Sequence, residues 1–290
     1  MKTLPVRKLY IDSRYLSTGT PAKFEYELPE TVDLPKDTVA YITEFTAING
    51  WDTLNESNNL MYIVENPSSG VFHARIINFV YLPHDSETLR AAIENNLNSG
   101  KQVAGTYTVS RAASAGTTGS AQLGAAYRYY SISLSGGGQF FIPSEAQLQD
   151  PTWYALNWAV AYNGPHYNTQ DTRSTNELFS FTMDDFGTNA KSSFIDLRSK
   201  HSLFVHSPSF GNYTSIAPRG VRTVLQKIPV EVAYGALIHY EHNGNPADYI
   251  EISSSTIKTM KFELRDARGH LVNLNGGHWS MTICFAERPM

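Results

Sequence analysis

The chain has little cysteine, few charges and no long apolar runs. Cys284 is the single cysteine among its 290 residues, so an intrachain disulfide is excluded and the fold must depend on its core. No apolar run approaches the roughly 20 residues that span a bilayer, and residues 1–11 contain no apolar stretch of signal-peptide length. We therefore expect a protein without a membrane span that is made in the cytosol.

The low charge limits the partners that the surface can bind. Charged residues make up 17% of the chain and the net charge is −4, whereas typical soluble domains contain about 25% charged residues. Strong, sequence-independent binding to nucleic acid is not expected, because clustered Lys and Arg supply that binding. Aromatic residues are plentiful instead, with 17 Tyr and 14 Phe. Such a surface suits extensive protein contacts, and it equally suits an ordinary β-sandwich.

Signatures of catalysis and of ligand binding are also missing. The sequence contains no Gly-x-Ser-x-Gly elbow, no Gly-x-x-x-x-Gly-Lys phosphate loop and no His-Glu-x-x-His pair. The close histidine pairs His201/His206 and His239/His242 have no evident third ligand, and we interpret them as solvated or interface histidines. We predict no catalytic residue, no cofactor and no metal, and we expect the protein not to be an enzyme.

Period-two alternation of apolar and polar residues is the strongest signal that is present. Apolar and charged residues alternate in residues 260–265, and residues 266–269 have the composition of a type I turn. A second alternation runs through residues 279–286. The apolar faces of these strands and of earlier ones predict the following core residues: Phe24, Tyr26, Phe262, Leu264, Trp279, Met281, Ile283 and Phe285.

Shorter strand signals recur along the whole chain. They lie at about the 8–12-residue intervals of all-β sandwiches, and roughly sixteen strand candidates result. Residues 178–183 are one of them, and the Asn-Gly within residues 242–246 predicts a tight hairpin. Because a jelly roll uses eight strands, the count fits a single jelly roll with a large insertion or a compact double jelly roll. We predict an all-β, antiparallel jelly-roll sandwich.

Helical signals are few. Apolar residues recur at helical spacing in residues 89–97, with an N-cap residue before them and Gly100 beyond the end. Ser144 and Gln147 have the spacing of a capping box, which predicts a second short helix at residues 144–149. The fold class is therefore all-β with one or two short helices.

Composition suggests where the domains divide. Residues 111–124 are rich in Ala, Ser, Thr and Gly, and residues 153–173 combine aromatic with polar residues without a clear period. We place the first part of the jelly roll at residues 1–110, an insertion with projecting loops at residues 111–175 and the C-terminal strands at residues 176–290. In the double-jelly-roll alternative the second sandwich starts at about residue 150.

The aromatic segment at residues 153–173 admits two interpretations. It either forms an exposed contact surface or packs as a long excursion over the sandwich. On the first interpretation, its aromatic rings contact other copies or lie on the outer surface, because interface centres are enriched in Tyr and Trp. The predicted contact residues are Trp153, Tyr154, Trp158, Tyr162 and Tyr167.

The order of several short motifs resembles that of one known group of proteins. Tyr10-Ile-Asp-Ser-Arg-Tyr15 and Phe24-Glu-Tyr-Glu-Leu-Pro29, followed by the segments at residues 203–207, 227–230 and 262–269, resemble jelly-roll capsid proteins from DNA viruses of the adenovirus lineage. The similarity is to the virophage, Polinton and adintovirus type. It covers both ends of the chain and leaves out residues 111–173.

This resemblance implies a virion structural protein that self-assembles into an icosahedral capsid and is synthesised in the host cytosol. A penton-type vertex or minor capsid protein with one jelly roll would form pentamers, whereas a double-jelly-roll major capsid protein would form trimers. The implied partners are copies of the chain itself and other capsid proteins. Assembly into a closed shell would also cover the strand edges of the sandwich.

Two functions of other classes remain as alternatives. A carbohydrate-binding β-sandwich module would stack exposed rings on sugar faces, and residues 153–171 contain suitable aromatic, Asn and Asp residues. An enzyme on a cupin-like barrel would need a histidine cluster, for which the spacing here is poor. The oligomeric state separates these alternatives from a capsid protein.

Overall fold

Strands dominate the computed structural model of the chain. The structure describes residues 7–112, 129–158, 172–181, 183–193, 195, 197, 199–210, 222–252 and 256–287. The chain forms two compact units, which are unit 1 (Met1–Trp51 with Lys200–Met290) and unit 2 (Asp52–Ser199). Among the described residues, no helix is both long and apolar enough to cross a lipid bilayer.

The described residues form sixteen strands and four α-helical segments. The strands are β1 Arg7–Asp12, β2 Thr18–Thr20, β3 Lys23–Asp33, β4 Thr38–Ile48, β5 Leu60–Ser68, β6 Val71–Asn78, β7 Thr106–Ala112, β8 Tyr129–Ser135, β9 Gln139–Phe141, β10 Asn189–Lys191, β11 Ser202–His206, β12 Val224–Pro229, β13 Leu237–Glu241, β14 Ile250–Glu251, β15 Thr256–Arg265 and β16 Trp279–Glu287. The α-helices are α1 Ser86–Asn98, α2 Glu145–Gln149, α3 Pro151–Trp153 and α4 Asn176–Phe179. Single turns of 3₁₀ helix are found at Ser13–Tyr15 and Pro246–Asp248, and a π-helical turn at Tyr154–Trp158.

Unit 1 is an antiparallel sandwich of two five-stranded sheets. One sheet has the order β1-β16-β4-β13, with β14 also paired to β4, and the other has the order β12-β11-β15-β3-β2. We name them the β16 sheet and the β15 sheet. If the short β2 and β14 are left out and the other eight strands are numbered along the chain, the orders become 1-8-3-6 and 5-4-7-2. This is the strand order of a jelly roll.

The apolar faces of the two sheets meet in one core. Phe24 of β3, Phe262 of β15 and Trp279 of β16 pack with ring centroids 5.5–5.6 Å apart, and the Trp279 indole N–H donates to the Pro21 carbonyl oxygen at 2.7 Å. Seven of the eight predicted core residues are buried here, and Tyr26 is half-buried against them. The alternation in β15 and β16 places these side chains inside because their neighbours along each strand point away.

Unit 2 is built from two three-stranded sheets, β6-β5-β9 and β10-β8-β7, together with α1. Its main core combines residues from both sheets and from α1. The described strands of this unit do not have the eight-strand order, so the single jelly roll with a large insertion is the alternative that describes the fold. The segment between β4 and β11, Asp52–Ser199, forms unit 2, and the expected division at residues 111–175 stays a prediction. Apolar and polar residues alternate in the strands of unit 2 as they do in those of unit 1, so this periodicity did not distinguish the two units.

Both predicted helices are confirmed. At the start of α1, the Asp85 carboxylate accepts from the Thr88 N–H at 2.8 Å, and the Thr88 hydroxyl oxygen accepts from the Asp85 N–H. At the start of α2, Ser144 and Gln147 make the same reciprocal arrangement. The buried residues of α1 are Leu89, Ile93 and Leu97. These caps satisfy backbone donors that a helix start leaves without intrahelical partners.

Two local predictions are wrong. Residues 178–183 were expected to be a strand, but α4 occupies Asn176–Phe179 and ends at Ser180 with φ 43°. A short apolar run fits a buried turn of helix as well as a strand. The second wrong prediction is the hairpin at residues 242–246, where Gly244 has φ 80°. Strands β13 and β14 both pair with β4, because the chain continues along the same edge after a short excursion.

Candidate assembly surface

Two of the five predicted aromatic contact residues are buried in unit 2. Trp158 is fully buried and Tyr154 is 8% exposed, and the Trp158 ring packs edge-on against Tyr62 at 5.3 Å. This burial corrects the expectation that Tyr154 and Trp158 lie on an exposed surface. Their rings cover one side of β5 and β9, where they form a small core. This agrees with the alternative interpretation, in which the segment begins as an excursion packed over a sheet.

The other three predicted contact residues divide into two groups. Trp153 is half-buried, with its ring 6.1 Å from that of Phe141. Tyr162 and Tyr167 lie outside the described residues. Contacts through Tyr162 and Tyr167 therefore stay a prediction.

The Glu65 carboxylate is the centre of a buried polar cluster in unit 2. The Glu65 carboxylate accepts from the Arg75 guanidinium at 2.9 Å, from the Tyr107 hydroxyl at 2.8 Å and from the Gln102 N–H at 2.7 Å. Burial raises the pKa of Tyr107 far above its usual value, and the nearby Glu65 charge raises it further. Arg75 also donates to the Ser99 carbonyl oxygen just beyond α1. The Glu65 carboxylate therefore has a structural role.

The histidines do not come together into a metal site. The described part of the chain contains no group of three or more His, Cys, Asp or Glu residues that could hold an ion. His239 lies 3.1 Å from Glu241, and the His242 ring lies 4.9 Å from that of Tyr41. His206 was expected to be solvated or at an interface, but it is 2% exposed and 3.1 Å from the Thr223 hydroxyl.

Burial makes His206 electrically neutral at neutral pH. Its side chain points away from the core of unit 1, opposite Glu263 in the register between β11 and β15. Burial, with a smaller contribution from the Arg265 charge, lowers its pKa to about 4, and the Glu263 charge opposes that shift. The burial of the imidazole and its contact with the Thr223 hydroxyl indicate a structural role.

The outer face of the β15 sheet carries paired opposite charges. Lys261 lies 2.8 Å from Glu25, Lys23 lies 3.0 Å from Glu263 and Lys258 lies 3.6 Å from Glu27. The first two pairs join residues directly opposite in the β3–β15 register. Cross-strand pairs of this kind suit a face in contact with water. We name this face the charge ladder.

The centre of the outer face of the β16 sheet is poor in charge. The central strands present small polar groups, and the hydroxyls of Thr46 and Ser280 hydrogen-bond at 2.7 Å. Together with Tyr10, Asp12 and Glu44, these two residues line a shallow groove across β1, β16 and β4. Charge depletion and accessible aromatic rings are properties of interface centres. This face is therefore the better candidate for contacts with other proteins.

Several large apolar side chains are exposed in both units. In unit 1 they are Tyr10, Tyr15, Ile48, Tyr234, Leu237 and Leu271, and in unit 2 they are Val71, Phe72, Val80, Tyr81 and Leu82. None of them was among the predicted contact residues. The alternation of β1 contains a usable signal, because Leu9 and Ile11 face the core and Tyr10 between them must point outwards.

Comparisons with known proteins support the fold. No protein-family model and no curated protein sequence matches the chain. Among solved structures, the chain is similar to the crystal structure of the selenomethionine-labelled mavirus penton protein, with a TM-score of 0.52 and 12% sequence identity. The similarity covers 98% of this chain and 99% of the mavirus chain. At this identity the similarity shows a shared fold.

Proposed function

We propose that this protein is a virion structural protein that assembles with copies of itself at the vertices of an icosahedral capsid, as a penton-type protein. The observation that carries the proposal is the extent of the structural similarity. A penton protein matches 98% of this chain, so the match includes the jelly roll and the long insertion between β4 and β11. A jelly roll alone would be weak support, because this architecture serves many functions.

The surface of unit 1 supports the same proposal. Exposed strand edges promote uncontrolled pairing unless something covers them, and closed assemblies cover them productively. The charge-poor centre of the outer face of the β16 sheet suits such contacts. We expect copies of the chain and other capsid proteins as partners, a location in the virion and no strong binding to nucleic acid, since the net charge is −4.

The double-jelly-roll alternative fits less well, because unit 1 has the jelly-roll strand order and the described strands of unit 2 do not. The carbohydrate-binding alternative relied on exposed rings within residues 153–171. Tyr154 and Trp158 are buried, so these two rings are not available to stack on a sugar. We therefore propose neither of them.

Native mass spectrometry of the full chain over a range of concentrations tests the proposal, with negative-stain microscopy of the same samples. We expect five copies per particle and ring-shaped particles. A Lys261→Glu variant, altered on the charge ladder, is the control and should assemble like the wild type. Three copies per particle, or a monomer at every concentration, would contradict a penton-type protein.

A further inference from the structure

The β16 sheet ends in two edges of different composition. At one edge, β1 pairs with β16, and at the other edge β13 and β14 pair with β4. Within the described residues, neither edge has a strand on its outer side. Each edge therefore presents backbone donors and acceptors that another chain could cover.

The β1 edge is basic and aromatic. Arg7 and Lys8 are exposed, Tyr10 is 69% exposed and Tyr15 in the following turn is 71% exposed. The acid of this strand, Asp12, is neutralised by a charged hydrogen bond with the Arg14 side chain. We name Arg7, Lys8, Tyr10 and Tyr15 the basic edge.

The opposite edge is acidic and aliphatic. The Glu241 side chain is 77% exposed and lies 3.1 Å from the His239 ring, and Glu251 of β14 is exposed as well. Leu237 and Ile48, which face each other in the β13–β4 register, are 54% and 47% exposed. We name Ile48, Leu237, Glu241 and Glu251 the acidic edge.

We infer that the basic edge of one copy binds the acidic edge of the next copy. The inference rests on the proposed self-assembly and names the surfaces that carry it. A ring requires a heterologous contact, in which two different surfaces of the same chain meet. These two edges are different, lie at opposite ends of one sheet and have complementary charges. Two basic edges or two acidic edges repel each other, which disfavours a two-fold dimer through either edge.

Apolar groups provide the centre of this contact. Tyr10 on the basic edge packs against Leu237 and Ile48 of the neighbouring copy, with Arg7 and Lys8 directed towards Glu241 and Glu251. Aromatic anchors dominate the binding energy of most interfaces, while charged pairs at the rim select the partner and its orientation. In this contact Tyr10 provides most of the affinity, and the charged residues determine the orientation of the neighbouring copy.

Charge reversal tests the pairing. In Arg7→Glu/Lys8→Glu both edges are acidic, and in Glu241→Lys/Glu251→Lys both edges are basic. We expect each double variant to be monomeric in native mass spectrometry at concentrations where the wild type is assembled. The variant that combines all four changes has complementary edges again, and we expect it to assemble like the wild type.

Mixing the two double variants gives a sharper readout. Every contact must then join one copy of each variant, so particles contain equal numbers of both and an even total. A closed ring of five is impossible in this mixture, whereas four or six copies are allowed. Isotope labelling of one variant identifies the composition by mass.

A variant of the apolar centre and a matched control complete the experiment. Tyr10→Ser should raise the concentration at which half of the chains are assembled by about tenfold or more. Lys261→Glu on the charge ladder changes the net charge in the same direction as Lys8→Glu and should have no such effect. All altered residues of the two edges are exposed, so circular dichroism and thermal melting should match the wild type.

The possible outcomes separate this inference from the proposed function. A wild-type chain that stays monomeric overturns both. A wild-type pentamer that survives both charge reversals overturns the edge contact and leaves the proposed function intact. Dissociation of both double variants without recovery in the combined variant overturns the pairing of these two edges. Recovery in the combined variant and even-numbered particles in the mixture support it.

Discussion

Units 1 and 2 bury different kinds of side chain, although both are built from strands with the same alternation. The core of unit 1 is a continuous apolar cluster between two sheets, and six of its charged residues form the three pairs of the charge ladder. Unit 2 contains the Glu65–Arg75 pair. In the loop before β5, the hydrogen-bonded residues Asn55, Ser57 and Asn58 are buried. The contrast is one of degree, because unit 1 also buries Lys200 beside Asp266.

This difference predicts which substitutions destabilise each unit. An apolar core loses stability in proportion to the contacts removed, and charge changes on its outer face have little effect. A buried polar centre loses more when one member is removed, because its former partners stay buried without hydrogen bonds. Single polar substitutions should therefore harm unit 2 more than unit 1.

The largest expected effect follows from Glu65→Ala. This change leaves the Arg75 guanidinium, the Tyr107 hydroxyl and the Gln102 N–H without their shared acceptor, and breaking a buried pair in this way costs about 3–5 kcal/mol. Hydrogen exchange resolved along the chain should show lost protection in residues 52–199 and nearly normal protection in unit 1.

Two variants control this prediction. Glu65→Gln keeps an acceptor of the same size and should lose less protection than Glu65→Ala. Glu25→Gln removes a carboxylate from the charge ladder, where water replaces the lost partner, and should leave hydrogen exchange of both units unchanged. Equal losses in Glu25→Gln and Glu65→Ala would refute the contrast between the units.

The next effect concerns pH and His206 in unit 1. Its folded-state pKa of about 4 lies below the usual value of about 6.5, so the unfolded chain takes up the proton first as pH falls. Stability should be constant above pH 6.5, fall between pH 6.5 and 4 by roughly 3 kcal/mol at most, and then level off. His206→Gln should abolish this part of the pH dependence, which denaturant titrations at several pH values measure. If the free energy of unfolding of the variant fell with pH as in the wild type, the prediction would be wrong.

The smallest of these effects concerns the start of α2. Ser144→Ala removes the side-chain oxygen that accepts from the Gln147 N–H, and loss of such a cap costs about 1 kcal/mol. We expect a small drop in the thermal midpoint, with the faster hydrogen exchange confined to residues 145–149. Ser144→Asp restores a capping acceptor and should recover most of the loss.

The elements that sequence alone predicts are those with a strong local signal. Trp279, Met281, Ile283 and Phe285 alternate without interruption, and the caps of α1 and α2 are visible as residue types at fixed spacings. The order of the strands in the sheets is different. It depends on contacts between residues far apart in the chain, such as the pairing of β1 with β16, and no local pattern encodes it.

The candidate surface was harder to predict for a related reason. An aromatic ring is favoured both in a core and at an interface, so Trp158 and Tyr10 look alike in sequence. Only the packing of Trp158 against Tyr62 shows that it belongs to the interior. The charges of the two edges were visible in the sequence, but their positions at opposite ends of one sheet became clear only from the topology.

The place of the insertion in the chain has a consequence for biosynthesis. Both sheets of unit 1 join strands made before residue 52 with strands made after residue 199, as in the β3–β15 pair. Unit 2, in contrast, is one continuous segment. During synthesis, β1, β3 and β4 lack their later partner strands for on the order of ten seconds while the ribosome translates the insertion. Unit 2 can fold during that interval, whereas the early strands depend on chaperones or on their own low aggregation tendency until their partners emerge.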